Sequence, residues 1–391
     1  MQVCPVYRQG RREELVARGK LAILRGLDQG GLEPDARAAE LLSRCLLCGR
    51  CSANCPNQVP GRDAFRQARA QLAAQADQGP AKALEQQILS ATLPHPRRLE
   101  LLARVAGAAR PLAGLALPLL SGLRLRLPGL EMAAHLPRAG GAPFHQQAPA
   151  ELAGPAGAPR LGLFVGCVAN FLQPDQARTA LRLLALDANV VLLPQNCCGL
   201  PALSAGLDQT ARQLALANLE NWRQARVDKL VTFCGSCAYA LRHELPRLAP
   251  GAEAERLAAS VLDISQVLAE HPRRLAGLGQ AVGPVAVHDP CHLRLDLGVS
   301  EEPRAMLRAA GVELVEMAGA DDCCGGGGLF ALHHPELSQG IFAPRREALL
   351  ASGAQVLATS CSGCQLQWRA GLAGARPVVH PLELLTPPPA C

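Results

Sequence analysis

From residue 160 onward the chain alternates short, wholly apolar runs with longer segments in which apolar residues recur at helical spacing. The runs at 161–165, 189–193 and 229–233 read as buried strands, with helices predicted over 175–186 and 207–226. The plan then repeats: strands at 285–287, 312–317 and 356–358, a helix over 336–351, and a candidate edge strand at 377–381. Strands alternating with helices predict parallel α/β architecture. The repetition predicts a pseudo-two-fold pair of α/β units, 160–277 and 278–391, whose cysteines face a common cleft or interface. Residues 1–90 have a different period. Helices are predicted over 12–27, from Pro34-Asp35 onward, and over 61–76, as a small all-α unit. Residues 91–159 read as a helical region followed by a linker over 134–159 rich in Pro and Gly.

Each strand of the repeat ends near cysteine. The first copy has Cys167, then Cys197-Cys198-Gly199, then Cys234-Gly235-Ser236-Cys237; the second has Cys291, Cys323-Cys324-Gly325 and Cys361-Ser362-Gly363-Cys364. The intervals are 29 and 35 residues in the first copy and 31 and 36 in the second. Open α/β sheets hold ligands just past the carboxyl ends of their strands, and soft thiolates converge on zinc or iron–sulfur centres. Five cysteines with one adjacent pair depart from the four-ligand knuckles of structural zinc. Two neighbouring side chains reach one centre only if the backbone bends sharply, and Gly199 and Gly325 to Gly328 supply that freedom along with N–H donors. The glycine run is no dinucleotide loop, because Phe330 stands where the third glycine belongs.

The N-terminal unit carries its own cluster of thiols, Cys45-Leu-Leu-Cys48-Gly-Arg-Cys51-Ser-Ala-Asn-Cys55-Pro56. This is the C-x2-C-x2-C-x3-C-P run of bacterial-type [4Fe–4S] ferredoxins, in which the fourth cysteine of a run serves the other cluster. Cys4-Pro5 matches the tail of a second such run. Two readings follow: a C-x2-C-x2-C segment encoded upstream of Met1, or Cys4 as a fourth ligand for Cys45, Cys48 and Cys51 with Cys55 spare. Both make Cys4 a ligand, and both allow one complete ferredoxin-type site in this chain.

Composition narrows the compartment. Sixteen cysteines in 391 residues fall well below the roughly 8–10% of a disulfide scaffold. Residues 1–30 contain no apolar signal region, because Arg8, Arg11, Arg12, Glu13 and Glu14 interrupt it. Thiols in C-x2-C spacing without such a signal point to metal ligation in a reducing, cytoplasmic setting. The longest uncharged run, 111–123, has 13 residues against roughly 20 for a bilayer span. It reads as packed helix or as an apolar surface for a partner or the inner membrane face. The net charge of +6 is mild, and two Trp, two Tyr and seven Phe provide no stacking platform, so nucleic acid is not an expected partner.

The order of these parts resembles the glycolate oxidase and D-lactate dehydrogenase iron–sulfur subunits, and more widely the cysteine-rich CCG proteins related to heterodisulfide reductase subunits. The resemblance covers nearly the whole chain. It implies that Cys167, Cys197, Cys198, Cys234 and Cys237 ligate one iron–sulfur cluster, and Cys291, Cys323, Cys324, Cys361 and Cys364 another. It also implies electron transfer from an FAD-containing 2-hydroxyacid dehydrogenase subunit towards a quinone or membrane-associated acceptor, with no dehydrogenase activity in this chain alone. The alternative it raises is disulfide reduction at a CCG site, as in heterodisulfide reductases; a zinc-bound interaction module is a third class. Among other residues, His288 and His292 are candidates to hydrogen-bond a ligated sulfur. His333 and His334 are expected to open the next helix, Arg50 to be exposed or else to raise the potential of the ferredoxin-type cluster by its charge, and Cys391 to be a free thiol.

Overall fold

The computed structural model describes residues 1–76, 79–105, 142–194 and 196–387. The apolar run at 111–123, the start of the expected linker and Cys391 lie outside the described residues.

Two sheets organise the chain from residue 151. The first has the order β1-β3-β2-β4-β5, built from β1 Glu151–Leu152, β2 Arg160–Phe164, β3 Asn189–Leu192, β4 Lys229–Thr232 and β5 Val261–Asp263. The second has the order β7-β6-β8-β9, from β6 Val285–His288, β7 Leu314–Val315, β8 Val356–Thr359 and β9 Val378–Val379. All pairings are parallel except that of β1 with β3. The paths β3-β2-β4-β5 and β7-β6-β8-β9 are therefore the same. In each, the chain starts at an inner strand and flanks it on both sides, so the loops leaving neighbouring strands part and open a crevice.

The strands are apolar without alternation because helices cover both faces. All four residues of β6 and of β8 are buried. Helices Pro174–Leu184 and Asp208–Ala225 lie where the periodicity put them, as does Pro335–Ala351. β9 is the edge strand expected near 377–381. Among the features that escaped the pattern, three bear on the sheets and the linker. β5 is a three-residue strand capped at once by Asp263, which accepts from the Ser265 amide. β7 is only two residues long, between the charged Glu313 and Glu316. The expected linker instead contains β1 and the helix Phe144–Gln147, held by buried Phe144 and by His145, whose ring bonds Asn170 and the Leu193 carbonyl.

One core serves both sheets: Leu163, Val165, Ala180 and Val190 pack in the same cluster as Val285, Val287, Leu307 and Leu382. Polar contacts add to it. The Gly235 amide donates to the Ser360 carbonyl at 2.8 Å, and His380 Nε2 to the Phe233 carbonyl at 2.6 Å.

The N-terminal unit comprises Pro5–Gly10, Ala17–Asp28, Ala36–Ser43, Gly61–Gln75 and Pro80–Thr92. Pro34-Asp35 does start a helix: the Asp35 carboxylate accepts from the Ala38 amide at 2.8 Å. The first predicted helix begins late, at Ala17, behind a 3-10 turn at Glu13–Leu15. Arginines fasten this unit over the crevice. Arg62 grips Asp296 through both terminal nitrogens (2.6 and 2.8 Å), Arg66 pairs with Glu244 at 3.2 Å, and Arg8 and Arg50 both reach Asp322 at 3.2 Å. The Arg50 side chain is only 12% exposed, against the expectation of an exposed arginine. Among the described residues no helix is long and apolar enough to cross a membrane.

Candidate metal centre

Cysteine recurs where a strand turns into a helix. Cys167 and Cys291 open the helices Cys167–Leu172 and Cys291–Leu297, while Cys234 and Cys361 are the N-cap residues of Gly235–Tyr239 and Ser362–Leu372. The adjacent pairs are bent by the glycine that follows them. Gly199 and Gly325 sit at φ +89° and +83°, a region that side chains disfavour. Their amides point back at the first sulfur of each pair, Cys197 Sγ at 3.5 Å and Cys323 Sγ at 3.4 Å.

The sulfurs form a chain of electrostatically coupled neighbours. Cys167 is coupled to Cys197, Cys197 to Cys198, and Cys198 to Cys237 and through it to Cys234. From Cys234 the line crosses to Cys361 of the second sheet and continues through Cys364, Cys324 and Cys323 to Cys291. The members of each quintet are thus gathered in one region, and the coupling of Cys234 to Cys361 joins the quintets. All of them except Cys197, which is buried behind Cys198, line one cavity of about 350 Å³. The expected common cleft is this cavity. Its remaining wall is largely apolar, from Leu46, Leu200, Leu203, Leu329, Leu332 and Leu366.

A second, smaller cavity of about 30 Å³ lies in the N-terminal unit. Cys4, Cys45, Cys48 and Cys51 line it, and Cys55 does not. The lining therefore places Cys4, and not Cys55, beside Cys45, Cys48 and Cys51. Leu47, between two of these cysteines, holds φ +52°, strain of the kind that persists where surrounding structure over-determines it. Cys48 lines both cavities and lies within electrostatic reach of Cys291 and Cys323.

Crowding polarises the thiols. Cys198 is held well below the usual thiol range by hydrogen bonds from Cys197 and Cys237. Cys361 is lowered likewise by Cys234 and Cys364, and Cys324 is brought down to about 5 by Cys323 and Cys364. Their partners Cys197, Cys237 and Cys364 are pushed far up, because each keeps its proton and donates it in a hydrogen bond to a neighbouring thiolate. So many sulfurs cannot all ionise in a buried site unless cations stand among them. The donor set is therefore suited to a soft, polynuclear metal centre: all sulfur, buried, and more numerous than one tetrahedral zinc requires.

Groups around the sulfurs complete the site. Ser236 Oγ lies 3.2 Å from Cys361 Sγ and 3.4 Å from His292 Nδ1. The His292 ring stacks on Tyr239 at 4.3 Å, and burial pushes its pKa down, favouring the neutral ring. His292 thus reaches a cysteine only through Ser236. His288 does not reach one: its ring is tied to Thr359 Oγ1 at 3.0 Å and the Asp322 carbonyl at 3.2 Å, within the sheet. His333 ends a short helix, Phe330–His333, and pairs with Glu85; His334 precedes the next helix and bonds Ser43 Oγ at 2.8 Å. Ser236, Arg62 and Tyr239 were not foreseen. Ser236 was visible inside a C-x2-C, while Arg62 and Tyr239 gave no local signal.

Comparison with known proteins agrees with this geometry. The family model of the cysteine-rich CCG domain matches residues 161–242 and 285–369, and that of the 4Fe-4S dicluster domain matches 1–59. A lactate utilization protein A of Geobacillus kaustophilus is 30% identical over 53% of this chain and 89% of its own length. This chain belongs to the CCG-domain iron–sulfur proteins. Within that family, a probable glycolate oxidase iron-sulfur subunit of Bacillus subtilis is 29% identical over 98% of this chain and 90% of its own. A fumarate reductase (CoM/CoB) subunit of Methanothermobacter marburgensis is 32% identical, over 58% of this chain and 46% of its own. The CCG-domain chain is accordingly an iron–sulfur protein carrying [4Fe–4S] chemistry in its N-terminal unit and cysteine-rich sites in its two repeats.

Proposed function

We propose that this chain is the electron-transfer subunit of an oxidoreductase complex. An FAD-containing subunit that oxidises a 2-hydroxy acid such as glycolate or D-lactate delivers electrons, and a quinone or similar acceptor, reached from the cytoplasmic side, receives them. The observation that carries this reading is the succession of electrostatically coupled sulfurs from Cys4 and Cys45, through Cys48 to Cys291, and on to Cys167. Cys4, Cys45, Cys48 and Cys51 would hold the ferredoxin-type centre, Cys291, Cys323, Cys324, Cys361 and Cys364 the middle one, and Cys167, Cys197, Cys198, Cys234 and Cys237 the far one. Iron–sulfur clusters bound there supply reversible electron uptake at potentials tuned by their surroundings.

The chain's own residues set the order and the insulation. Cys234 and Cys361, which line the same cavity, couple the two repeats' sites. The Arg62–Asp296 pair presses the N-terminal unit on the helix that Cys291 opens. Ser236 is placed to donate to Cys361 when that sulfur is a thiolate. Leucines on the cavity wall exclude water. The sequence carries no flavin or nicotinamide fingerprint, so the hydroxy acid would be oxidised on the partner. Anaerobically purified chain is expected to show cluster spectra and no hydroxy-acid dehydrogenase activity until the flavoprotein is added; turnover by the flavin-free chain refutes the reading.

A second reading has its own support. Both cysteine quintets are complete and open on one shared cavity, and a fumarate reductase (CoM/CoB) subunit is among the relatives. Reduction of a disulfide there, taking two electrons and two protons to give two thiols, is tested by anaerobic assay with disulfide substrates.

A further inference from the structure

The helix Ala17–Asp28 contains one residue set against its own pattern. Lys20 lies on the apolar stripe of Val16, Ile23 and Leu27, and it is only 1% exposed. Its ammonium donates to the carbonyls of Glu14 at 3.1 Å and Leu15 at 2.7 Å. Neutral carbonyls orient a buried charge but do not neutralise it. No carboxylate forms an ion pair with Lys20 among the described residues. The groups that face it are Cys4, Cys45 and Cys51, with Arg69 as the other cation. Arg69 in turn donates to the carbonyls of Leu42, Ser43 and Cys45. Lys20 lines the small cavity with the four cysteines, and the Leu15 carbonyl it binds also takes Cys4 Sγ at 3.8 Å.

We propose that Lys20 is the internal counter-cation of the N-terminal iron–sulfur centre, and that its charge raises the centre's reduction potential. The inference rests on the assignment of Cys4, Cys45, Cys48 and Cys51 to that centre. Four thiolates leave the site net negative, and one-electron reduction adds another negative charge. A fixed positive charge inside the same low-dielectric pocket favours the reduced state. The choice of residue fits this role, since a lysine whose two carbonyl contacts could be made by a neutral amide is kept where burial of a charge is costly.

The test compares Lys20→Gln, which keeps hydrogen-bond donors without the charge, with Lys20→Arg, which keeps the charge. The N-terminal signal is followed by electron paramagnetic resonance during a dithionite titration of the full chain. Lys20→Gln is expected to cut the reduced-to-oxidised ratio at fixed ambient potential about tenfold, a midpoint about 59 mV lower for a one-electron couple. Lys20→Arg should stay near the wild type, with the signals of the repeat sites unmoved in both. A lowering in Lys20→Gln of less than about threefold, about 28 mV, overturns the proposal, as does an equal lowering in Lys20→Arg. Should Lys20→Gln lose the N-terminal signal while Lys20→Arg keeps it, the counter-charge is upheld; loss in both points to a steric role and overturns it. Absence of the signal from the wild type overturns the site assignment itself.

Discussion

Replacing Arg62 by leucine should disconnect the N-terminal unit from the repeats. Arg62 grips Asp296 with two hydrogen bonds of 2.6 and 2.8 Å, and their side chains are 14% and 8% exposed. Its guanidinium also lies 4.5 Å from the centre of the Tyr239 ring. Removing one partner of a buried pair costs about 3–5 kcal/mol, because the other charge is left unpaired. A stacked cation adds about 0.5–2 kcal/mol. Both side chains retain some contact with water, so we take about 3 kcal/mol in total, near the lower end of these ranges. That is about a 150-fold shift towards the undocked unit. Asp296 lies on the helix opened by Cys291, so undocking separates Cys48 from Cys291 and Cys323. The assay is freeze-quench resonance of the reduced full chain, following how fast electrons placed on the N-terminal site reach the repeats. Arg62→Leu should slow this step and raise protease sensitivity between residues 76 and 105. The double variant Arg62→Leu/Asp296→Leu, which leaves no unpaired charge, should recover much of the docking. Unchanged transfer in Arg62→Leu, or a double variant worse than the single, refutes the reasoning.

Other expectations follow from single residues. His380 donates from Nε2 to the Phe233 carbonyl and accepts the Leu382 amide at Nδ1, so it is held neutral, and burial brings its pKa down to about 4. A histidine lowered on folding contributes stability that is present above about pH 6.5 and lost as pH falls towards 4; between pH 7 and 5.5 the loss is about 1.2 kcal/mol. Urea midpoints at those two pH values should show it in the wild type, and His380→Gln should lose correspondingly less. Gly325→Ala should damage the second repeat's site more than Gly199→Ala damages the first. Both need positive φ, but only at Gly325 would the new methyl lie 2.7 Å from a backbone oxygen, that of Ser338; iron content of the two variants compares them. Cys4→Ser should weaken the N-terminal signal, whereas Cys55→Ser should leave it, because Cys55 stands outside the small cavity.

The parts of this structure with a period were legible in the sequence. Buried strands such as β6 and β8 show as apolar runs because both faces are covered, and the cysteines follow those strands at intervals that repeat. What could not be read was anything that depends on three-dimensional approach. Cys234 and Cys361 are 127 positions apart, and nothing local marks them as neighbours. Arg62 and Asp296 look like ordinary surface charges until the two units meet. His288 and His292 lie three residues before and one residue after Cys291, yet strand pleat sends one into the sheet and helix geometry turns the other towards Ser236. Lys20 was the exception that left a trace, as a charge on an apolar helical stripe.

The most direct test is anaerobic purification of the full chain, with iron, acid-labile sulfide and zinc measured on the sample used for resonance of the reduced protein. The account predicts iron and sulfide without stoichiometric zinc. It further predicts signals from the two repeats that are broadened or split by each other, since Cys234 and Cys361 line one cavity and couple their sites. A colourless protein carrying zinc and no sulfide, or repeat signals that behave as isolated centres, would contradict it.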